Sequence, residues 1–192
     1  MIKTLLISEV RVDLLRLMIL NPNKQYHVRS IVREINAEIN AVRRELARLE
    51  SIGLLSHRRS SNRIYYWVNT SHIFYSDLLS LLSKEIDLGK DILDHLKQLG
   101  DIKYAMIAKP FLRGRESTVL DVDLFIVGKP DMTLLKEIIS RAEGRRGKEI
   151  NYSVMSLDEF NHRKRSNDPF INRLLSQGRA MLVGDEEKFS AR

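Results

Sequence analysis

The stretch Glu38–Leu55, EINAVRRELARLESIGLL, predicts an amphipathic helix that ends shortly before a glycine. Apolar side chains recur at helical spacing on one face, at Ile39, Val42, Leu46 and Leu49. The other faces carry Asn40, Arg43, Arg44, Ala47 and Arg48. Gly53 suits the left-handed conformation that follows many helices. We therefore expect a helix over Glu38–Ser51.

The segments around this helix predict two earlier helices and a later hairpin. Residues 8–20 predict a helix with Ser8 as its N-cap, and residues 29–36 predict a second helix. LLSHRR and RIYYWV predict two strands that flank the turn Ser60-Ser61-Asn62. Two helices joined by a short turn and followed by a hairpin are typical of a winged helix-turn-helix, whose recognition helix enters the major groove of DNA.

The basic excess of the chain is concentrated in this N-terminal part. The net charge is +7. Residues 1–70 hold 12 Lys and Arg against 6 Asp and Glu, whereas residues 71–192 hold 20 against 19. Such a distribution favours a nucleic-acid partner, with ordinary surface charge as the alternative.

The pattern predicts which side chains would contact DNA. Arg43 and Arg44 are expected at base edges or flanking phosphates, and Asn40 at a base. A hairpin tip with arginines can straddle phosphates, enter a minor groove or simply be solvated. The full set of predicted contact residues is Arg29, Ser30, Asn40, Arg43, Arg44, Arg48, Arg58, Arg59 and Arg63.

An apolar stripe follows in residues 71–99, with an interruption predicted near Gly89. Its members are Leu78, Leu81, Leu82, Ile86, Leu88, Ile92, Leu96 and Leu99. The stripe could be core or the seam of a homodimer. Because many DNA readers bind two half-sites, a homodimer is an attractive expectation.

From Lys103 onward, strands and helices alternate. Strands are predicted at 104–108, 122–127, 150–155 and 180–183, and helices at 131–142, 156–164 and 168–176. Residues 144–148 predict a turn, and an acidic tail follows the last strand. Asp121 and Asp123 are alternate residues at the start of a predicted strand, so both carboxylates could converge on Mg²⁺.

Resemblances to two known families together cover nearly the whole chain. The segment 107–128, IAKPFLRGRESTVLDVDLFIVG, resembles the signature of the DNA polymerase beta-type nucleotidyltransferase superfamily through Arg113-Gly114 and Asp121-Val-Asp123. INYSVMSLDEF resembles the next strand and helix of its minimal members. The N-terminal part resembles winged-helix regulators of the arsenic-repressor type. The first resemblance implies that Asp121 and Asp123 bind Mg²⁺ together with a nucleotide.

The chain departs from the nucleotidyltransferase signature at two places. Lys109-Pro110 stands where the family has a Gly-Ser pair that holds nucleotide phosphates, and proline has no N–H to donate. Asn151 takes the place of a third acid, with Glu149 one pleat away. The departures favour a degenerate domain for ligand sensing or assembly, in which Lys109, Arg113 and Arg115 could attract an anion.

The sequence thus predicts an α+β protein with a winged helix at 1–70, a helical connector at 71–100 and a nucleotidyltransferase-like domain at 101–192. We expect a DNA-binding transcriptional regulator, with an active Mg²⁺-dependent nucleotidyltransferase or a protein-binding winged helix as alternatives. The chain has no cysteine, and its histidines lack ligand spacing. We expect no signal peptide in residues 1–15, no membrane span and a cytoplasmic location.

Overall fold

The computed structural model describes residues 8–118 and 120–191. It confirms the predicted α+β class. The chain forms two compact units, of which the first ends at Leu79 and the second begins at Ser80. In the part of the chain that the model describes, no helix is long and apolar enough to cross a bilayer. The signal-peptide prediction rests partly on residues 1–7, which lie outside the described residues.

The first unit has the predicted order of helices followed by a hairpin. Its elements are α1 (Glu9–Ile19), β1 (Tyr26–His27), α2 (Val28–Ile35), α3 (Ile39–Ser51), β2 (Leu55–Ser60) and β3 (Arg63–Val68). The strands form an antiparallel sheet in the order β1-β3-β2. The hairpin turn is shorter than predicted, because Ser60 pairs with Arg63 and leaves only Ser61 and Asn62 in the turn.

The core of the first unit joins all three helices to the hairpin. Its buried side chains include Val12, Leu14, Met18, Ile31, Val42, Leu46, Leu49, Leu55 and Val68. Because Val42, Leu46 and Leu49 belong to this core, the apolar face of α3 is held inward and its opposite face points to solvent.

The predicted N-cap of α1 is confirmed. The Ser8 hydroxyl accepts a hydrogen bond from the Arg11 N–H at 3.2 Å.

Helix α4 (Tyr75–Ser83) crosses from the first unit into the second. The second unit continues with α5 (Asp87–Asp94), α6 (Leu96–Leu99), β4 (Gly100–Ala108), α7 (Lys109–Leu112), β5 (Leu124–Pro130), α8 (Met132–Arg146), β6 (Tyr152–Met155), α9 (Leu157–Arg165), α10 (Pro169–Ser176), β7 (Arg179–Val183) and α11 (Glu186–Ser190). Leu82, Leu88, Ile92 and Leu99 are fully buried, so these members of the predicted apolar stripe are core.

A mixed four-stranded sheet organises the second unit. The strand order is β6-β5-β4-β7, with β5 parallel to β6 and the other pairs antiparallel. Phe125 and Ile126 point to opposite faces of β5 and are both fully buried, so both faces of the sheet are covered. On one face, Phe125 packs with Phe160 and Phe189, whose rings stack at 5.2 Å.

Two boundary predictions in the helices were wrong. The interruption expected near Gly89 lies instead at residues 84–86, and Gly89 is inside α5. The turn expected at 144–148 is mostly helix, because α8 continues to Arg146. The side chains of Arg145 and Arg146 both bond to Asp87, and these long-range ion pairs hold the last turn of α8.

Three predictions near the strands also need correction. β5 begins at Leu124, so Asp121 and Asp123 precede the strand and do not share one of its faces. β6 begins at Tyr152, two residues later than predicted. The acidic segment after β7 forms α11, whose N-cap is Asp185.

We expect opposite effects from alanine at two helical glycines. A Cβ at Gly89 would lie 1.9 Å from the carbonyl oxygen of Ser83, a backbone atom, whereas a Cβ at Gly144 would meet nothing within 4 Å. Gly89→Ala should lower the free energy of unfolding by about 1–3 kcal/mol. Gly144→Ala should raise it by about 0.5–1 kcal/mol. Urea unfolding followed by far-ultraviolet circular dichroism measures both, and equal shifts for the two variants would contradict the packing at Gly89.

Candidate functional site

Helix α3 begins at a side-chain cap and presents a polar outer face. The Glu38 carboxylate accepts hydrogen bonds from the N–H groups of Asn40 and Ala41, both at 2.8 Å. These two bonds are the main reason why the pKa of Glu38 lies below its usual range. Beyond the cap, the exposed side chains of α3 are Asn40, Arg43, Arg44, Ala47, Arg48 and Ser51.

Three arginines from separate elements line one groove in the first unit. The groove has a volume of about 580 Å³ and is lined by His27, Val28, Arg29, Arg43, Asn62, Arg63, Ile64 and Tyr66. Arg29 lies in the first turn of α2, Arg43 lies on α3 and Arg63 starts β3. No carboxylate is among these lining residues, and the three guanidinium groups form no hydrogen bond or ion pair with any residue described. The groove is therefore a concentrated positive charge without a counter-charge in its lining. We call it the arginine groove.

His27 and Ser30 shape the edge of this groove. The His27 Nδ1 atom accepts a hydrogen bond from the Ser30 N–H at 3.1 Å, and the Ser30 hydroxyl donates to the His27 carbonyl at 2.7 Å. His27 is thus the N-cap of α2, a role that sequence reasoning missed because histidine is an uncommon cap. Ser30, one of the predicted DNA-contact residues, uses both its N–H and its hydroxyl as donors inside the protein.

The arginines of the hairpin are divided between its two faces. Ser60 pairs with Arg63 and lies two residues from Arg58, so Arg58 and Arg63 project from the same face. Arg59 pairs with Ile64, which lines the arginine groove, and projects from the other face. The predicted cluster at the tip therefore offers positive charge on both sides of the hairpin.

Arg48 differs from the other predicted contact residues because it belongs to a buried ion-pair network. The Glu45 side chain is on the inner side of α3 and is only 5% exposed. Its carboxylate accepts hydrogen bonds from Arg11 Nε and Arg48 Nη1, both at 2.8 Å, and from Ser8 Oγ at 3.3 Å. Burial acts to raise the pKa of Glu45, but the two guanidinium groups outweigh it and lower that pKa.

Sequence reasoning overlooked Glu45, although a signal was present. Its position falls between Val42, Leu46 and Leu49 on the buried face of α3. An acid at such a position needs a cationic partner, because an unpaired buried charge is costly. Its partner Arg11 comes from α1, so the network ties α1 to α3.

In the second unit, hydrogen bonds from the protein occupy both acids that the sequence predicts as metal ligands. Asp121 Oδ1 accepts from Arg115 at 3.1 Å, and its Oδ2 accepts from the Thr118 N–H and hydroxyl at 2.8 and 3.0 Å. The Thr118 N–H is the largest influence that lowers the pKa of Asp121. An Mg²⁺ ion would have to compete with these donors for the same oxygens.

Asp123 is more deeply enclosed and is 2% exposed. Its Oδ1 accepts from the Ser117 hydroxyl at 2.5 Å, and its Oδ2 accepts from the Asn151 N–H at 3.0 Å. The side-chain amide of Asn151 also donates to the Thr118 carbonyl at 2.8 Å. All four carboxylate oxygens of the pair thus stabilise the fold of the loop. Within residues 8–118 and 120–191, no group of three or more acids and histidines is placed to hold a metal ion.

The Lys109-Pro110 pair begins α7, with Pro110 in its first turn. The Lys109 N–H donates to the Gly178 carbonyl at 2.9 Å, so this donor is also used within the protein. Pro110 has no N–H and the N–H of Lys109 is already bonded, so neither residue offers a backbone donor to a phosphate.

The chain matches no protein-family model, and neither a curated protein nor a solved structure is significantly similar to it. The two family resemblances inferred from its sequence therefore stay predictions. We infer the function from the geometry of the chain itself.

We expect Glu45→Gln to lower the free energy of unfolding by about 1–3 kcal/mol at neutral pH, because Arg11 and Arg48 lose a charged partner. The native pKa of Glu45 lies below its ordinary value of 4.5, so the stabilisation is complete above that value and disappears as the pH falls through the native pKa. Urea unfolding followed by Trp67 fluorescence at several pH values measures this difference.

Glu34→Gln is the matched control, since Glu34 is an exposed acid on α2 of the same unit. It should change the unfolding midpoint little at any pH. A Glu45→Gln variant as stable as wild type at pH 7, or equally weakened at all pH values, would contradict the assigned ion-pair network.

Proposed function

We propose that the first unit is a winged helix that binds double-stranded DNA and that the protein regulates transcription. The observation that carries this proposal is the arginine groove, which is lined by one arginine from each of α2, α3 and β3 and by no carboxylate. Guanidinium groups along one groove match the phosphate backbone of a nucleic acid. A regulator of this kind would act in the cytoplasm on the chromosome.

The exposed face of α3 supports duplex DNA over a protein partner. Its centre carries polar and cationic side chains and one alanine, whereas the cores of protein interfaces are depleted in charge. An α-helix fits the major groove of B-form DNA. In the proposed complex α3 lies in that groove, and Arg29, Arg43 and Arg63 contact the phosphates along one side of it. Arg58 and Arg59 contact the flanking backbone from the hairpin.

The combined variant Arg29→Ala/Arg43→Ala/Arg63→Ala should bind duplex DNA more weakly and with less dependence on salt. Each phosphate contact contributes close to one unit to the slope of log K against log salt, so the loss of three contacts should reduce the slope by about 3. Binding by the full chain is measured by fluorescence anisotropy of a labelled duplex across a salt series.

A charge-matched control is the variant Lys97→Ala/Lys136→Ala/Arg141→Ala, which removes three exposed cations from the second unit. It should keep the wild-type slope. If both triple variants reduced the slope equally, binding would depend on total charge alone and the arginine groove would not be the DNA site.

We also propose that the second unit has a nucleotidyltransferase-like fold without transfer activity and serves in ligand sensing or assembly. Three observations support this: hydrogen bonds occupy the carboxylates of Asp121 and Asp123, Asn151 lies beside Asp123 in place of an acid, and Pro110 lacks an N–H. A polymerase-type reaction needs carboxylates free to hold Mg²⁺ and the nucleotide phosphates.

Wild-type protein incubated with Mg²⁺ and radiolabelled nucleoside triphosphates should transfer no label to itself, to RNA or to small acceptors. The physical reason is that Mg²⁺ must displace internal donors from the loop before it can bind. Asp123→Asn is the control, because it keeps the shape of the side chain but removes its charge. Incorporation by wild type that Asp123→Asn abolishes would instead establish the Mg²⁺-dependent transferase alternative.

A homodimer remains part of the proposal, because paired half-sites are the usual target of such readers. Leu81 is the member of the predicted apolar stripe that stays exposed, at 36%. The mass of the free protein and of the DNA complex, measured by light scattering, decides whether one or two copies bind a single site.

A further inference from the structure

The orientation of α3 separates its exposed side chains into a centre and two flanks. Successive residues of an α-helix are turned by about 100°, so the direction opposite the buried face can be calculated. The buried residues of α3 are Val42, Glu45, Leu46 and Leu49. Asn40, Arg44 and Ala47 lie within roughly 50° of the opposite direction. Ser51 in the last turn also lies in this sector, but its hydroxyl donates to the Arg48 carbonyl. Arg43 lies roughly 70° to one side of it, and Arg48 lies at a similar angle on the other side.

The two flanking arginines already have local roles. Arg43 lines the arginine groove beside Arg29 and Arg63. Arg48 is held by the buried carboxylate of Glu45 at 2.8 Å. Arg43 therefore lies on the flank of α3 that borders the arginine groove, whereas the guanidinium group of Arg48 is turned back towards the protein.

The central residues form no such direct contact, although the charge of Arg44 helps to lower the pKa of Glu38. The Arg44 guanidinium and the Asn40 side-chain amide are exposed and form no hydrogen bond or ion pair within the described parts of the chain. Ala47, one turn further along, has a side chain too short to hold the helix away from a surface that it approaches. The centre of α3 thus brings one guanidinium and one carboxamide closest to whatever the helix enters.

These two groups have distinct preferences among the bases. In the major groove, a guanidinium makes two hydrogen bonds to O6 and N7 of guanine, and a carboxamide makes two to N6 and N7 of adenine. Four residues of an α-helix span about 6 Å, and base pairs are about 3.4 Å apart. The spacing of Asn40 and Arg44 therefore corresponds to about two base-pair steps.

We infer that Arg44 reads a guanine and Asn40 reads an adenine about two base pairs away in the same half-site, while Arg43 contacts phosphate only. This inference rests on the proposed DNA-binding function and deepens it by specifying the chemistry of the operator. It also separates Arg43 from Arg44, which are adjacent in the sequence but differ in role.

The test is selection from a randomised duplex library by the full chain at fixed salt, for wild type and three single variants. Wild type should select a motif with guanine and adenine about two base pairs apart. Arg44→Ala should lose the preference at the guanine only, and Asn40→Ala should lose it at the adenine only. Each lost contact corresponds to about 5- to 150-fold discrimination against the wrong base.

Arg43→Ala is the matched control, because it removes the same side chain one residue away. It should weaken binding to every sequence alike, leave the selected motif unchanged and lower the salt slope by about 1. All three substitutions are at exposed positions, and unchanged unfolding curves verify that each variant is folded.

The remaining outcomes distinguish failure of the inference from failure of the proposed function. If wild type selects a motif and Arg44→Ala or Asn40→Ala keeps that motif intact, the base assignments are wrong but the DNA-binding function stands. If Arg43→Ala changes the motif, the separation of the two arginines is overturned. If wild type binds no duplex even at low salt, the proposed function fails, and the inference fails with it.

Discussion

The period of an α-helix is the constraint on which the first unit depends. Once α3 buries Val42, Leu46 and Leu49, 3.6 residues per turn leave Asn40 and Arg44 on the opposite side, directed to solvent. Glu45 falls within the buried arc, so its charge must be compensated internally by Arg11 and Arg48. A single geometric rule thus accounts for the core, the buried ion pairs and the exposed polar face of α3.

The same constraint explains how positive charge can be concentrated without destabilising the unit. Arg29, Arg43 and Arg63 come from separate elements, and all three are exposed residues at the surface of the protein. The repulsion between the three arginines costs little free energy where water screens their charges. When a polyanion binds beside them, the net electrostatic free energy becomes favourable. A surface that is mildly unfavourable in the free protein becomes favourable when a partner supplies phosphates.

In the second unit, polar groups near Asp123 serve stability. The loop that ends at Asp123 leads from α7 into the buried strand β5, where an unpaired carboxylate would be costly. The Ser117 hydroxyl and the backbone N–H of Asn151 donate to Asp123, and the side-chain amide of Asn151 donates to the Thr118 carbonyl. These polar groups therefore find their partners within the protein. A carboxylate satisfied in this way is less available to a cation. Because these carboxylates are hydrogen-bonded within the protein and less free to bind Mg²⁺, we propose ligand sensing or assembly, and not nucleotide transfer, for this unit.

The sequence by itself determined the α+β class, the helices with strong periodicity and caps, and most strands, because these depend on local spacing and on residues such as Ser8 and Asp168 at helix starts. It also marked most of the exposed cations, since the outer face of a helix follows from its inner face.

The tertiary structure decided what local patterns cannot contain. Gly89 stays within a helix because its missing side chain allows close approach to Ser83, and α8 extends to Arg146 because Asp87, distant in sequence, pairs with it. Asp121 and Asp123 were assigned to a strand face, yet contacts with Thr118 and Asn151 hold them in a loop. Arg43 and Arg48 both belong to the predicted set of DNA contacts, but only folding placed Arg43 beside Arg29 and Arg63 in an open groove and Arg48 against a glutamate that packing buries.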